Sequence, residues 1–280
     1  LILLIGWVIY LAWYVDTALG IYLLPIVIAL VALYIFQPQI DWWWYNRYPP
    51  DLDAPLQRLF EAKLPFYQGL APQWQLRFRR RCALYMIAND FIPKGPETVP
   101  EDLKGLVAAN IVQLTFGQID YRLSRFERIV VYLTPFPSPQ YQAHLHSSEI
   151  FIEDGVLLFA ADHLLPSTLE PQRYFNIGLY EYAKVFRISY PDYAYPSQEQ
   201  IAWPILEQVS GFTQKKIEEF VGLPDLDQAA VAIALFFSFP KSFLALLPEA
   251  TKQYQLIFNQ DPTLENCPVI KQDKLDLAQI

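Results

Sequence analysis

The stretch Tyr180-Glu181-Tyr182-Ala183-Lys184 lies in a segment, Pro171–Ser189, that we predict to be helical. Residues three and four apart share one face of a helix, so Lys184 lies beside both Tyr180 and Glu181. A glutamate next to the first of two ligands spaced four residues apart is the arrangement of the zinc-binding pattern His-Glu-x-x-His. This chain keeps the glutamate of that pattern and has tyrosine and lysine in place of the two histidines.

Tyrosine and lysine are poor substitutes for imidazole as zinc ligands. Neutral histidine offers zinc a lone pair near pH 7, whereas tyrosine and lysine must first lose protons whose ordinary pKa values are about 10 and about 10.4. We therefore expect no metal and no other cofactor at Tyr180 and Lys184, and no metal-dependent catalysis there.

The chain has few other candidate metal ligands or catalytic groups. His144 and His146 would share one face of a strand, a spacing that permits chelation, but a zinc site needs three or four protein ligands. Hydrogen-bonding roles are therefore the default for these histidines, and the question of a metal stays open for them. Cys82 and Cys267 lack a metal-binding or redox spacing, and the sequence has no glycine-rich phosphate loop and no signature of an activated serine.

The first 36 residues are the most apolar part of the chain. Leu1–Val15 is almost entirely apolar or aromatic, and Thr17–Phe36 carries no charge, as in a membrane-spanning helix. Asp16 is the only charge in this part of the sequence. We interpret residues 1–36 as a hairpin of two transmembrane helices, with one long kinked span as the alternative. A cleaved signal peptide is disfavoured, because the segment has no basic start and no small-residue cleavage site.

Residues 37–54 are interpreted as a linker at the membrane interface, where the amphipathic rings of Trp42–Tyr45 would favour the headgroup region. Arg47, Arg58 and Lys63 follow this run, whereas the loop at Asp16 has no basic residue. The positive-inside tendency therefore puts the remainder of the chain in the cytoplasm. The lipid bilayer is the first partner that the sequence implies.

The net charge of −8 argues against nucleic acid as a partner. One local cluster of arginines departs from this acidic balance, and two interpretations stay open for it. The cluster either contacts anionic lipid headgroups, or it forms the solvated face of a helix whose apolar face holds Trp74, Phe78 and Tyr85. The arginines concerned are Arg77, Arg79, Arg80 and Arg81.

Residues 55–262 are predicted to form one α+β domain, followed by a polar tail, 263–280. Strands are predicted at Arg128–Leu133 and in a hairpin of Glu149–Ile152 and Val156–Phe159, with an extended piece at Phe91-Ile92-Pro93. The predicted helical segments are Pro55–Leu64, Pro72–Ala88, Glu101–Phe116, a single turn at Ala161–Leu165, Pro171–Ser189, an interrupted Ile201–Phe220, Leu226–Phe237 and Lys241–Phe258.

Several segments of this domain carry a family resemblance through their order and spacing. They are Ala108-Ala109-Asn110, Ile129-Val130-Val131-Tyr132, Phe175–Leu179, Phe236–Pro240 and Gln260-Asp261-Pro262. From about Leu59 to Pro262 the chain resembles the Mlc titration factor A family of zinc metallopeptidases. The resemblance implies a zincin-like fold for the domain.

The same resemblance assigns roles within the family's catalytic helix. Its two histidine ligands align with Tyr180 and Lys184, and its glutamate base aligns with Glu181. Counting back from the Phe236-Phe237 pair, the family's third ligand, a glutamate, aligns with Asp227.

Two further family positions have also lost their usual side chains. The glutamate that closes the family's Glu-x6-Glu pattern aligns with Ala234, and a tyrosine that stabilises the tetrahedral intermediate aligns with Phe220, which has no hydroxyl. The resemblance therefore implies a dismantled zinc site in which only the base and one shortened carboxylate remain.

Three functions follow as hypotheses. The first is an inactive zinc-peptidase homologue of the bacterial inner membrane that binds a regulated protein, and the second is an accessory or structural subunit of a membrane complex. The third is a residual hydrolase, either metal-dependent or using Glu181 and Asp227 as a carboxylate pair. In the first two, the Lys184 ammonium would replace the lost zinc charge by pairing with Asp227 or Glu181; the alternative places Lys184 in solvent.

Overall fold

The computed structural model describes Tyr10, Trp13 and residues 23–271. Most of the predicted transmembrane hairpin, residues 1–36, therefore lies outside the described residues, and so does the end of the predicted tail, 272–280. The chain divides into two compact units, Leu1–Pro49 and Pro50–Ile280.

The first unit contains helix α1, Leu23–Arg47. This helix continues through Pro38, so the segment predicted as a linker from residue 37 is helical as far as Arg47. Apolar side chains are exposed on all sides of its middle part, because the consecutive residues from Leu33 to Phe36 are each more than half exposed and together span most of the circumference of a helix.

Among the described residues, no single helix has both the length and the apolar character needed to cross a membrane. Length and composition alone would allow one sharply bent pair to do so, Gln228–Ser238 with Pro240–Leu246 at 118°. The first helix of that pair is buried in the protein core.

The second unit is an α+β domain, which confirms the predicted class. Its strands are β1 Asp90–Lys94, β2 Arg128–Tyr132, β3 Ser148–Phe151 and β4 Val156–Ala160. Its helices are α2 Ala54–Lys63, α3 Pro65–Gln68, α4 Pro72–Ala88, α5 Glu101–Leu114, α6 Ala161–Leu169, α7 Ile177–Ser189, α8 Trp203–Ser210, α9 Gln214–Val221, α10 Gln228–Ser238, α11 Pro240–Leu246 and α12 Pro248–Phe258.

The sheet has the strand order β1-β2-β4-β3. Strands β1, β2 and β4 are parallel, and β3 pairs antiparallel with β4 at the edge, as the predicted hairpin requires. Gly155 forms the hairpin turn with a φ of +62°, a conformation in which a Cβ would meet the Arg125 carbonyl oxygen.

Helices α5, α7 and α10 form the helical core beside the sheet. Helix α5 is buried from Gly105 to Leu114, and α10 is buried from Ala229 to Ser238. Both helices pack against α7. Gly178 permits the close approach of α5 to α7, since a Cβ there would lie 2.4 Å from the Asn110 side chain.

Several predicted boundaries were wrong for identifiable reasons. The helix predicted from Pro171 begins only at Ile177, because the Asn176 side chain accepts a hydrogen bond from the Leu179 N–H at 2.9 Å and caps the helix there. The predicted helix Lys241–Phe258 is divided at Leu247, because Pro248 restricts the residue before it.

The domain also extends beyond both predicted limits. At its start, Asp51 forms an ion pair with Arg79 at 2.8 Å, so the domain includes residues assigned to the linker. At its end, residues 263–271 pack on the domain rather than forming a free tail. Asn266 exchanges backbone hydrogen bonds with Gly69 and Ala71, and Val269 is buried.

Candidate functional site

Helix α7 carries the pentapeptide in the centre of the domain. Residues Tyr180, Glu181, Tyr182 and Ala183 are buried, and Lys184 is mostly covered. Helix α10 lies against α7, so the start of α10 at Asp227 meets this face. We call Tyr180, Glu181, Lys184, Arg187 and Asp227, with Ser148 of β3, the α7 cluster.

Both carboxylate oxygens of Glu181 are engaged, and its side chain is fully buried. The Ser148 hydroxyl donates a hydrogen bond to Oε1 at 2.8 Å. The Lys184 ammonium forms an ion pair with Oε2 at 2.6 Å. Among the described residues Oε2 has no hydrogen-bond partner, so its contact is the ion pair with Lys184. Glu181 is thus held by one hydrogen bond and one ion pair inside the domain.

Lys184 is held by its surroundings in the charged form. Burial by itself would lower the pKa of the ammonium, but the charge of Glu181 and the neighbouring Tyr180 outweigh burial and raise it above its ordinary value. Its Nζ lies 4.8 Å from the centre of the Tyr180 ring, as in a cation–π contact. The predicted ion pair is therefore made with Glu181, and the alternative of a solvent-pointing Lys184 was wrong.

Asp227 pairs with Arg187 and also caps a helix. Its Oδ1 accepts hydrogen bonds from the N–H groups of Ala229 and Ala230 and so caps helix α10. Arg187 lies next to the same carboxylate, with Nη1 at 2.7 Å from Oδ1 and 2.5 Å from Oδ2. The proposed pairing of Lys184 with Asp227 is thus replaced by a pairing with Arg187.

Tyr180 contacts both Lys184 and Asp227, and its hydroxyl stays protonated. Its hydroxyl oxygen accepts a hydrogen bond from the Asp227 N–H at 3.2 Å. Burial raises the pKa of Tyr180 to about 12. The hydroxyl is therefore neutral at physiological pH.

The residues of the α7 cluster do not fit a zinc ion. A zinc ligand must offer a free lone pair, and a charged ammonium has none. Tyr180 keeps its proton, and Asp227 is occupied by Arg187 and two backbone N–H groups. Within the described residues, no group of three or more histidine, cysteine, aspartate or glutamate side chains has an arrangement that could hold a metal.

Two of the implied site positions lie apart from the α7 cluster or contribute only packing. The Phe220 ring lies against His163 and Tyr174, with centroid distances of 4.8 and 5.9 Å, and lines a separate surface pocket. Ala234 is fully buried inside α10. Neither residue offers a group that contacts Glu181.

The histidine pair predicted to share a strand face is divided. His144 is exposed, whereas His146 is fully buried, with its Nε2 3.0 Å from Glu149 Oε2 and its Nδ1 3.2 Å from the His144 carbonyl oxygen. The Glu149 carboxylate also accepts a hydrogen bond from the Ser138 hydroxyl. These contacts give His146 a hydrogen-bonding role in the core.

Sequence reasoning missed Ser148 and Arg187. Arg187 lies two helical turns after Tyr180, so its position on the face of the pentapeptide was available from the sequence. Ser148 gave no such signal, because only the fold brings strand β3 against helix α7. Its neighbour Glu149 points to the opposite face of the sheet, as the alternation along a strand requires.

Neither family models nor curated sequences give independent support for a family. No protein-family model matches the sequence, and the search of curated proteins found no match. The resemblance to the zinc metallopeptidases therefore remains a hypothesis that rests on the segments quoted above.

Proposed function

We propose that this protein is a membrane-anchored, catalytically inactive relative of the zinc peptidases that acts through contacts with other proteins. The observation that carries the proposal is the ion pair between Lys184 and the buried Glu181. Glu181 is the one catalytic residue type of the peptidase family that this chain retains. It is paired with Lys184, which stands where the family has a metal-binding histidine.

The state of the second carboxylate also favours an inactive site. A carboxylate pair of the glycosidase kind needs one free acid and one free base or nucleophile. Glu181 is occupied by Lys184 and Ser148, and Asp227 is occupied by Arg187 and the start of α10. The residual hydrolase is therefore the weaker candidate.

The membrane part of the proposal rests on helix α1 and the apolar residues that precede it. Apolar side chains exposed around a whole helix suit a lipid or protein environment better than water. We assign the large domain to the cytoplasmic side of a bacterial inner membrane on the basis of Arg47, Arg58 and Lys63. The partner would be a regulated protein or another subunit of a membrane complex.

A comparison of the full chain with its Glu181→Gln variant tests the absence of catalysis. Both proteins are purified in mild detergent, and zinc content and the hydrolysis of unstructured protein substrates are measured with and without added zinc. We expect substoichiometric zinc and equal background hydrolysis in the two proteins. Hydrolysis that disappears in the variant would show that the protein is an enzyme, and one bound zinc per chain would refute the loss of the metal site.

Membrane association and partner binding need a separate experiment. The chain is extracted from native membranes with mild detergent, and its complexes are separated by size and identified by mass spectrometry. We expect the protein to resist alkaline extraction and to elute with another protein at a fixed ratio. Release by alkaline carbonate would refute the anchor, and elution of the protein alone with its detergent would refute a stable subunit role.

A further inference from the structure

A cavity of about 420 Å³ lies where the ends of α5 and α10 come together with the start of α7. Its volume is within the range of small-molecule sites, about 300–1,000 Å³. Gln113 near the end of α5, Asn176 at the start of α7 and Ser238 at the end of α10 all line it. The residues of the α7 cluster, all within the described part of the chain, are not part of its lining.

Gln113 is buried without a hydrogen-bond partner in the protein. Its side chain is 8% exposed, and it forms no hydrogen bond with any residue that the structure describes. The Oδ1 atom of Asn110, one turn earlier on α5, is an enclosed acceptor without a partner, but the amide oxygen and nitrogen of Gln113 are not enclosed. Both atoms therefore reach the cavity that Gln113 lines. A buried amide that bonds to no protein group contributes little to the fold, so its position needs another explanation.

Two further buried side chains add hydrogen-bonding groups to the same lining. Ser238 is 8% exposed, and its hydroxyl is neither enclosed nor bonded to any described residue. Asn176 is 4% exposed, and its Oδ1 accepts the Leu179 N–H that caps α7, which leaves Nδ2 as a donor with no partner among the described residues. Three polar side chains, each more than nine-tenths buried, thus offer donors and acceptors to one cavity.

The remaining lining indicates what kind of ligand the cavity suits. Leucine, proline and phenylalanine side chains form most of its walls. Within the described residues, the charged side chains of the lining are Lys241 and Glu265, which are exposed and opposite in sign. A ligand that matches these walls is therefore uncharged and partly apolar.

We propose that this cavity binds an uncharged ligand through a carboxamide group that carries an apolar substituent. The Gln113 side chain places a carbonyl acceptor beside N–H donors, and a second amide can match this pair with two hydrogen bonds. Ser238 and Asn176 supply further polar contacts, and the leucine and proline walls receive the apolar substituent. Such an amide belongs either to a small molecule or to the backbone of a peptide segment. The inference does not depend on the proposed function.

Saturation-transfer NMR on the full chain in detergent tests the site with two probes. The first is 3-methylbutanamide, a small free amide, and the second is N-acetylleucine methylamide, which models one residue of a peptide. We expect saturable binding of at least one probe beyond a blank of detergent alone. Tighter binding of the free amide would identify a small-molecule ligand, and tighter binding of the blocked residue a peptide segment. Binding of neither probe would overturn the proposal.

The variant Gln113→Met tests whether the buried amide makes the contact. Methionine keeps an unbranched side chain of similar length, and the change breaks no hydrogen bond among the described residues. We therefore expect a Tm equal to or above that of the unchanged protein, together with a probe affinity that is about fivefold weaker. Gln75→Met is the matched control, because Gln75 donates to the Tyr67 carbonyl oxygen outside the cavity and should leave probe affinity unchanged.

The variant Ser238→Ala covers the case in which Gln113→Met does not fold. It removes one hydroxyl that has no partner among the described residues, so the fold should be kept and probe affinity should fall by about threefold. Unchanged affinity in whichever of the two lining variants folds would exclude this site.

Discussion

The α7 cluster and the buried arginines of α4 both hold charged groups away from water, but only the α7 cluster contains its own counter-charges. Lys184 balances Glu181, and Arg187 balances Asp227. On α4, the buried Arg81 donates hydrogen bonds to carbonyl oxygens, and Nε and Nη1 of the buried Arg77 have no hydrogen-bond partner within the described residues. Buried charges of this domain are therefore held in two ways, by an opposite charge on α7 and by carbonyl oxygens or aromatic rings on α4.

The largest effect is expected from Lys184→Met, which removes the counter-charge of the α7 cluster. Glu181 would then be buried without a cation, and we expect a loss of about 3–5 kcal/mol in the free energy of unfolding. Denaturant titration of the variant measures the loss. The double variant Glu181→Gln with Lys184→Met should recover part of it.

Lys252→Met is the matched control, because Lys252 and Glu249 form a pair of the same spacing on the surface, at 3.0 Å. An exposed pair contributes at most about 1 kcal/mol. If Lys184→Met were no more destabilising than Lys252→Met, the idea that lysine replaces the zinc charge would be wrong.

The second expectation is that Tyr180 makes the free energy of unfolding fall at alkaline pH. Tyr180 has a folded pKa raised to about 12 against an ordinary value of about 10, so the folded state holds its proton more tightly than the unfolded state. This contribution is complete below pH 10 and is lost as pH rises from 10 to 12, by about 3 kcal/mol. Unfolding at several pH values should show a shallower alkaline decline for Tyr180→Phe than for the unchanged protein.

The alkaline profile of the unchanged protein, recorded over the same pH range, serves as the comparison for Tyr180→Phe. A Tyr180→Phe profile parallel to the unchanged one would mean that Tyr180 does not hold its proton in the folded state.

A smaller effect is expected from Ser148→Ala, which removes the hydrogen bond to Oε1 of Glu181. Loss of a hydrogen bond to a buried charged group costs about 1–3 kcal/mol. Ser189→Ala removes a serine hydroxyl on α7 that, among the described residues, donates to the Val185 carbonyl oxygen alone, so it should change stability by less than about 0.5 kcal/mol. The free energies of unfolding of both variants are measured by chemical denaturation. Equal losses would mean that the hydrogen bond from Ser148 to Glu181 contributes no more than that of Ser189.

The smallest effects are expected from two variants of Asp227, which caps α10 and forms an ion pair with Arg187. Asp227→Ala removes the cap of α10 and the pair with Arg187, at a cost of about 1–2 kcal/mol. Asp227→Asn keeps a capping oxygen and loses only a half-exposed ion pair, so we expect less than about 1 kcal/mol. Thermal unfolding distinguishes these cases. An equal loss in both variants would assign the contribution to the ion pair instead of the cap.

Local patterns predicted much of the secondary structure. The hairpin around Asp154-Gly155 and the strand at Arg128 were found because turn chemistry and β-branched runs act over a few residues. The start of α7 was missed because the capping signal of Asn176 was overlooked, and the division at Leu247 because the effect of Pro248 was overlooked. Both signals are present in the sequence.

From the sequence alone it follows that Tyr180, Glu181 and Lys184 share a helical face and that tyrosine and lysine make poor zinc ligands. Helical periodicity and intrinsic pKa values are local properties. The folded domain was needed to show that Lys184 pairs with Glu181 and not with Asp227, that Ser148 joins them, and that Arg77 and Arg81 are buried. Those outcomes depend on which distant segments pack together, and burial and pairing of charges follow from that packing.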